Sequence, residues 1–277
     1  MLNNDKFSIN ADMLKIKADK SNPENLPNTH EPMVQPSRTQ AGHSRTRSKN
    51  DNPILLFSGG MDSYIAWHYL GKPKCVYFKI GHRYMRNELE QVAKLRKMDK
   101  ELEIEFDDTF NLTWWEEPDA YIPARNLLLI TGATRYSDNI VLVVQKGETN
   151  LGDRSKEFFS NTEKTLSEML GRKITIETPF WEMTKVDMVK WYLEQGLPAE
   201  NLLVTTSCYT GREIACGKCS ACVRRAIALE LNGLSEPYEV DPKMTSLARE
   251  YLDKARQEFY IDERNEQILR WLGEWEE

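Results

Sequence analysis

Phe57-Ser58-Gly59-Gly60-Met61-Asp62-Ser63-Tyr64 gathers two glycines, two serine hydroxyls and a carboxylate into one turn. The apolar run Ile54-Leu55-Leu56-Phe57 ahead of it reads as a short buried strand, and Tyr64 to Leu70 behind it as a helix closed by Gly71. The turn thus stands at a helix N-terminus, where unpaired N–H groups and the positive end of the dipole favour an anion. Gly59 and Gly60 let the backbone bend sharply and approach a ligand closely, and Ser58 and Ser63 add donors. Asp62 would repel a bare phosphate, so its presence implies a Mg²⁺ between carboxylate and phosphate oxygens. No lysine follows Gly60 as a Walker A loop requires, and no Gly-x-Gly-x-x-Gly is present. What remains is a loop that grips the pyrophosphate end of ATP and leaves the α-phosphorus open to an acceptor oxygen. The products of such an adenylation are AMP and pyrophosphate.

A second constellation is made of sulfur. Four of the five cysteines stand as Cys208-x7-Cys216-x2-Cys219-x2-Cys222. In a cytosolic chain this density favours a metal over disulfides. Four thiolates suit tetrahedral Zn²⁺ in a closed, structural site. An iron–sulfur cluster is the rival, since ferredoxins share C-x2-C-x2-C, but Val223 stands where that pattern has a proline. Cys75, alone in a strand-like run, reads as packed core.

The elements that must carry these groups alternate. Candidate strands are 54–57, 75–80, 102–106, 140–145 and 174–177, separated by helix-like stretches near 63–70, 86–98, 124–137, 156–170 and 184–195. Such alternation predicts an α/β fold with a doubly wound, Rossmann-like parallel sheet covered on both faces, and a ligand at the carboxyl ends of its strands. Residues 53–205 form this ATP-binding domain, 206–235 the Cys₄ segment, and 236–277 a helical extension that covers the core or makes a homodimer face. Trp271 and Trp275 are spaced for one side of a helix. Residues 1–52 are rich in Asn, Ser, Pro, Lys and Arg and predict a disordered tail, whose basic stretch Arg38 to Lys49 is a candidate contact for RNA or a partner. Lys and Arg number 37 against 43 Asp and Glu, a net charge of −6, which lacks the global basic footprint of a nucleic-acid binder. No apolar run approaches the roughly 20 residues of a membrane span, and the first residues do not begin a signal peptide. These features predict a cytoplasmic enzyme.

Together, Ser-Gly-Gly-Met-Asp-Ser and Cys-x7-Cys-Gly-Lys-Cys-Ser-Ala-Cys-x-Arg resemble the QueC (ExsB) family of 7-cyano-7-deazaguanine synthases, within the PP-loop N-type ATP pyrophosphatases. Between them, Phe78-Lys79-Ile80-Gly81-His82-Arg83 resembles the segment after the family's second strand, with Glu88 and Glu90 on the following helix. Tyr121-Ile122-Pro123-Ala124-Arg125-Asn126 resembles its Val-Pro-Gly-Arg-Asn, and Thr178-Pro179-Phe180 with Thr184-Lys185 its Thr-Pro-Leu run and later Thr-Lys. The resemblance covers about 53 to 235. It implies an adenine nucleotide alpha hydrolase-like fold, with ATP, Mg²⁺ and Zn²⁺ as cofactors. It also implies a two-stage conversion of 7-carboxy-7-deazaguanine and ammonia into 7-cyano-7-deazaguanine, preQ0, for queuosine or deazaguanine-modified nucleic acid.

The resemblance further implies roles for single residues. Arg125 would screen charge on the triphosphate or the substrate carboxylate, and Lys79 or Lys185 would stabilise the pentacoordinate phosphorus; surface salt bridges are the bland readings of all three. Asn126 is equally a helix cap. The chain departs from the family at Gly147 to Phe158, which is shorter than the family's substrate segment and lacks its Tyr-Pro and Cys-Arg pairs. Asp153 and Glu157-Phe158 still align, and Asp153 would accept from a guanine-like amidine edge or cap the helix that follows. A divergent loop leaves room for a related amide-forming or conjugating enzyme. A tRNA-modifying PP-loop enzyme, whose ATP turnover tRNA would stimulate, is a second alternative. A catalytically silent zinc-stabilised binding protein, which would release no AMP, is the third.

Overall fold

A computed structural model describes residues 52–148, 152–205, 207–212, 214–257 and 262–273; the predicted tail and Trp275 lie outside them. Five strands, β1 Ile54–Leu56, β2 Lys74–Phe78, β3 Ile104–Asp107, β4 Asn139–Val141 and β5 Thr175–Glu177, form one parallel sheet in the order β3-β2-β1-β4-β5. Helices α1 Met61–Tyr69, α2 Met85–Met98, α3 Arg125–Ala133, α4 Lys156–Leu170, α5 Lys185–Glu194 and α6 Ala199–Val204 alternate with the strands or follow them. Then come α7 Ser220–Glu230, α8 Ser246–Gln257 and α9 Glu263–Trp271.

Side-chain period two explains why both faces are covered. Leu55, Cys75, Tyr77 and Val141 point into one core with residues of α1, α2 and α5, while Ile54, Val76, Phe78 and Ile140 point into the other with Ile130 of α3 and Phe159 of α4. Each fully buried Leu, Ile or Phe contributes about 1.5–3 kcal/mol of hydrophobic stabilisation, so two such layers suffice to hold short strands. Cys75 is buried in the first layer, and burial pushes its thiol up, as its reading as core predicts.

Several boundaries differ from the pattern. Strand β4 leaves the ladder after Val141, not Gln145, because its partner β5 ends at Glu177 ahead of Pro179, which has no N–H to donate. Leu102 donates its N–H to the Asp99 carbonyl in the turn closing α2, so β3 starts at Ile104. Lys79 and Ile80 lie past β2. Helix α6 is only six residues long, too short for a helical period to be legible.

In the predicted extension, α8 and α9 pack on α7. Ile268, Leu269 and Trp271 of α9 and Ala248 and Ala255 of α8 bury themselves against Val223, Ala226 and Ile227 of α7. The Trp271 indole N–H donates to Glu230 Oε2 at 3.0 Å. No helix among the described residues is long and apolar enough to cross a membrane.

Candidate active site

Strand β1 has β2 on one side and β4 on the other, so the connection leaving β1 for β2 and the one leaving β3 for β4 run in opposite directions across the sheet. A doubly wound sheet opens a crevice at such a point. A cavity of about 280 Å³ fills it here, lined by the Ser58–Ser63 turn, the ends of β2 and β4, and residues of α2, α3, α5 and α7.

The turn is folded by its own side chains. Ser63 Oγ donates to the Gly60 carbonyl at 2.9 Å and stands 3.3 Å from both the amide and the hydroxyl of Ser58. Gly59 has φ +75°, and a Cβ there would meet Val92 Cγ2 at 2.8 Å. Glycine is therefore required twice, for the left-handed backbone and for contact with α2. The first-turn amides of α1 at Met61, Asp62 and Ser63 have no carbonyl behind them and open on the cavity end of the helix. Phe57, Met61 and Tyr64 are buried. The Tyr64 hydroxyl donates to Asp99 Oδ2 and accepts from Asn201 Nδ2, so its side chain packs away from the loop. Burial pushes that phenol up to about 12.

Four cations line the cavity: Arg125, Arg154, Lys185 and Arg224. Lys185 Nζ pairs with Asp62 Oδ1 at 2.6 Å. Lys185 opens α5 directly after Thr184, whose hydroxyl and Asp187 form a capping box. Gln267 of α9 donates to Thr184 Oγ1 at 3.0 Å and braces that cap from behind. Glu148 accepts from Arg154 Nη1 at 2.7 Å on one oxygen and from Arg224 Nη1 at 3.0 Å on the other. Burial pushes the Glu148 carboxyl up, but the charges of Arg154, Arg224 and Lys185 outweigh it and leave the pKa below the ordinary value. Arg125 has no ion-pair partner among the described residues. Ala124, just before it, adopts φ +56° where the resembling motif has glycine. Asn126 is not the cap of α3: it lies inside the helix and donates to the Asp153 carbonyl at 3.2 Å.

The four cysteine sulfurs lie within 4.8 Å of one another, with Cys219 and Cys222 3.4 Å and Cys216 and Cys222 3.9 Å apart. Four thiolates about 2.3 Å from one ion stand roughly 3.8 Å apart, so the set fits a single tetrahedral metal. Gly217 has φ +73° in this loop, and a Cβ would meet the Val240 carbonyl oxygen at 1.8 Å. Cys208 itself borders the cavity beside Tyr209, whose hydroxyl lies 3.5 Å from Arg224 Nη2. The cysteine loop thereby forms one wall of the crevice.

Residues 109–233 match the family model of the queuosine biosynthesis protein QueC. The 7-cyano-7-deazaguanine synthase of Persephonella marina is 31% identical over 220 residues, which span 67% of this chain and 95% of the relative. The synthase of Thermoplasma volcanium is 30% identical over 235 residues, 73% and 93% of the two chains. That of Thermoplasma acidophilum is 28% identical over 238 residues, 73% and 97%. The chain belongs to the QueC family. It is accordingly an ATP-dependent ligase, and a divergent member at this level of identity.

Within this QueC-family site the sequence-predicted residues divide. Asp62, Arg125 and Lys185 meet at the cavity with the loop. Lys79 does not: it is exposed, with its ammonium 5.3 Å from the Phe106 ring centroid, because the chain turns outward after β2. Asp153 lies in a 3₁₀ turn outside the cavity lining, and the cap of α4 is Ser155, whose Oγ accepts from the Phe158 amide at 3.0 Å. Glu157 is exposed, and Phe158 packs with the Phe159 layer. Sequence reasoning had not assigned Glu148, Arg154 or Arg224 a role in the site. The only available signal was their place in the motif segments, since a surface ion pair has the same sequence appearance.

Proposed function

We propose that this QueC-family ligase converts 7-carboxy-7-deazaguanine and ammonia into 7-cyano-7-deazaguanine through two adenylated intermediates. The observation that carries the reading is the convergence of the Ser58–Ser63 loop, the Asp62–Lys185 pair and three arginines on one crevice. Helix α1 and the loop amides receive the pyrophosphate portion of ATP. Lys185 and Arg125 balance charge that gathers on the α-phosphate as a carboxylate oxygen attacks it and pyrophosphate leaves. Ammonia then displaces AMP from the acyl carbon and loses protons, giving the amide. The amide oxygen attacks the α-phosphorus of a second ATP and pyrophosphate leaves; loss of AMP and both nitrogen-bound protons then gives the nitrile. Activation is required at each stage because oxide and hydroxide leave carbon poorly, whereas AMP leaves readily.

Asp62 would hold Mg²⁺, which neutralises phosphate charge and aligns the leaving group when bound. Cys208, Cys216, Cys219 and Cys222 would hold Zn²⁺ as a closed structural site. The substrates are small molecules in this reading. Purified protein incubated with ATP, Mg²⁺, ammonium and 7-carboxy-7-deazaguanine should yield amide and nitrile by mass spectrometry. Absence of both, with a known synthase turning over alongside, overturns the reading.

A further inference from the structure

Three carboxylates line the crevice, and their oxygens are differently engaged. Both oxygens of Asp62 face Lys185 Nζ, and Glu148 gives one oxygen to each of two arginines. Glu88 differs. Its Oε2 accepts from the Tyr77 hydroxyl at 2.8 Å and lies 3.0 Å from His82 Nε2, while Oε1 has no donor among the described residues. No lysine or arginine pairs with it there, and His82 is its one basic neighbour among the described residues.

The surroundings of Glu88 are aromatic. The His82 and Tyr84 rings meet edge to face with centroids 4.3 Å apart, and Tyr84 approaches Tyr209 of the cysteine loop at 5.6 Å. His82 is 7% exposed, lines the crevice, and keeps a buried Nδ1 without a hydrogen-bond partner. A buried polar atom left unpaired is costly and marks a place where a ligand completes the network. An open carboxylate oxygen beside aromatic rings matches a flat heterocycle that carries two adjacent N–H donors, because the two free lone pairs of Oε1 can accept both in charge-assisted hydrogen bonds while the rings cover its face.

We propose that Glu88 reads the donor edge of the deazaguanine, its ring N–H and exocyclic amine, with Tyr84 and Tyr209 as the flanking wall. This rests on the reaction proposed above and names the residue that selects its substrate. It takes the place expected for Asp153 and Glu157, which stand outside the crevice lining. The Ser58–Ser63 loop touches α2 through Gly59 and Val92, so the base edge and the phosphates are held by one rigid unit.

The test is Glu88→Gln in the full-length, metal-replete protein, with ATP and 7-carboxy-7-deazaguanine varied separately. The expected result is a 10- to 100-fold loss, as an order of magnitude, in kcat/KM for the deazaguanine with KM for ATP within about twofold. Wild type should also discriminate against the analogue lacking the exocyclic amine, and the variant should not. Unchanged kcat/KM, or a loss that falls on ATP and so assigns Glu88 to the ribose, overturns the proposal. If wild type converts no deazaguanine, the reaction itself is wrong. Calorimetric binding of 7-carboxy-7-deazaguanine with a non-hydrolysable ATP analogue then decides Glu88 separately: binding lost in the variant supports it, and binding absent or equal in both overturns it. Should Glu88→Gln fail to fold, Glu88→Asp, which retracts the charge by one methylene, is expected to lose part of the same selectivity, and full retention overturns the proposal.

Discussion

Lys185 Nζ lies 2.6 Å from Asp62 Oδ1, joining the first residue of α5 to the first turn of α1 across 123 positions of sequence. The two charges hold each other at the mouth of the phosphate loop, Lys185 about one-seventh exposed and Asp62 about one-quarter. In the proposed reaction each exchanges this partner for a new one, Asp62 for a metal ion and Lys185 for phosphate oxygen.

Asp62→Ala should therefore remove AMP formation, by on the order of 10²–10³-fold or more, and leave the fold intact. AMP release measured chromatographically, beside thermal melting, checks both halves. Retained turnover would take Asp62 out of the metal role.

Thr184→Ala tests the brace behind Lys185. It removes the capping box and leaves Gln267 without its acceptor, at a cost of about 1–2 kcal/mol. A lowered melting temperature and a raised KM for ATP are expected, and Thr184→Ser should restore both. An unchanged KM would limit Thr184 to a structural part.

Cys219→Ser should cost the bound metal and much of the stability, since a structural site contributes its binding energy to folding. Metal content by elemental analysis and solubility after chelation report on it. A metal-free variant with undiminished stability would contradict a structural centre.

Arg225 is 2% exposed and gives a two-pronged pair to Glu236, with further bonds to Thr205 Oγ1 and the Leu202 carbonyl. Arg225→Met leaves the largely covered Glu236 carboxylate, 11% exposed, without its cation and should cost about 2–4 kcal/mol. Denaturant titration measures this, and Glu236→Leu in the same chain should recover a large part.

Acid stability should follow Glu148. Its folded pKa is lowered, so the folded chain binds fewer protons than the unfolded chain as pH falls, and stability rises with pH through that window. The contribution is complete above the ordinary value of 4.5 and is lost below it as the folded carboxylate protonates. Glu148→Gln should flatten the acid limb of stability against pH, and an unchanged limb would assign acid sensitivity elsewhere.

Much of this arrangement was legible from local chemistry. Ser58–Ser63 announces a helix N-terminal anion site because glycine, serine and a preceding apolar strand restrict the backbone within a few residues. The period-two and helical patterns predicted all five strands and five of the helices, and the cysteine spacing predicted one compact metal loop. The ends of β4 and β3 were misplaced because they depend on what the neighbouring strand offers: β5 stops before Pro179, and Leu102 is taken by a turn.

The sequence alone determined the glycine-serine turn at a helix N-terminus, the cysteine cluster and the parallel α/β class, since each follows from residue types in short windows. Only the tertiary structure decided which charges share the crevice. Lys79 and Lys185 look alike in sequence, and so do Glu157 and Glu148, yet one of each pair lines the cavity while the other faces solvent. That choice is made by strand order and helix packing, which bring α2, α5 and α7 to the carboxyl end of β1 through contacts between residues far apart in the chain.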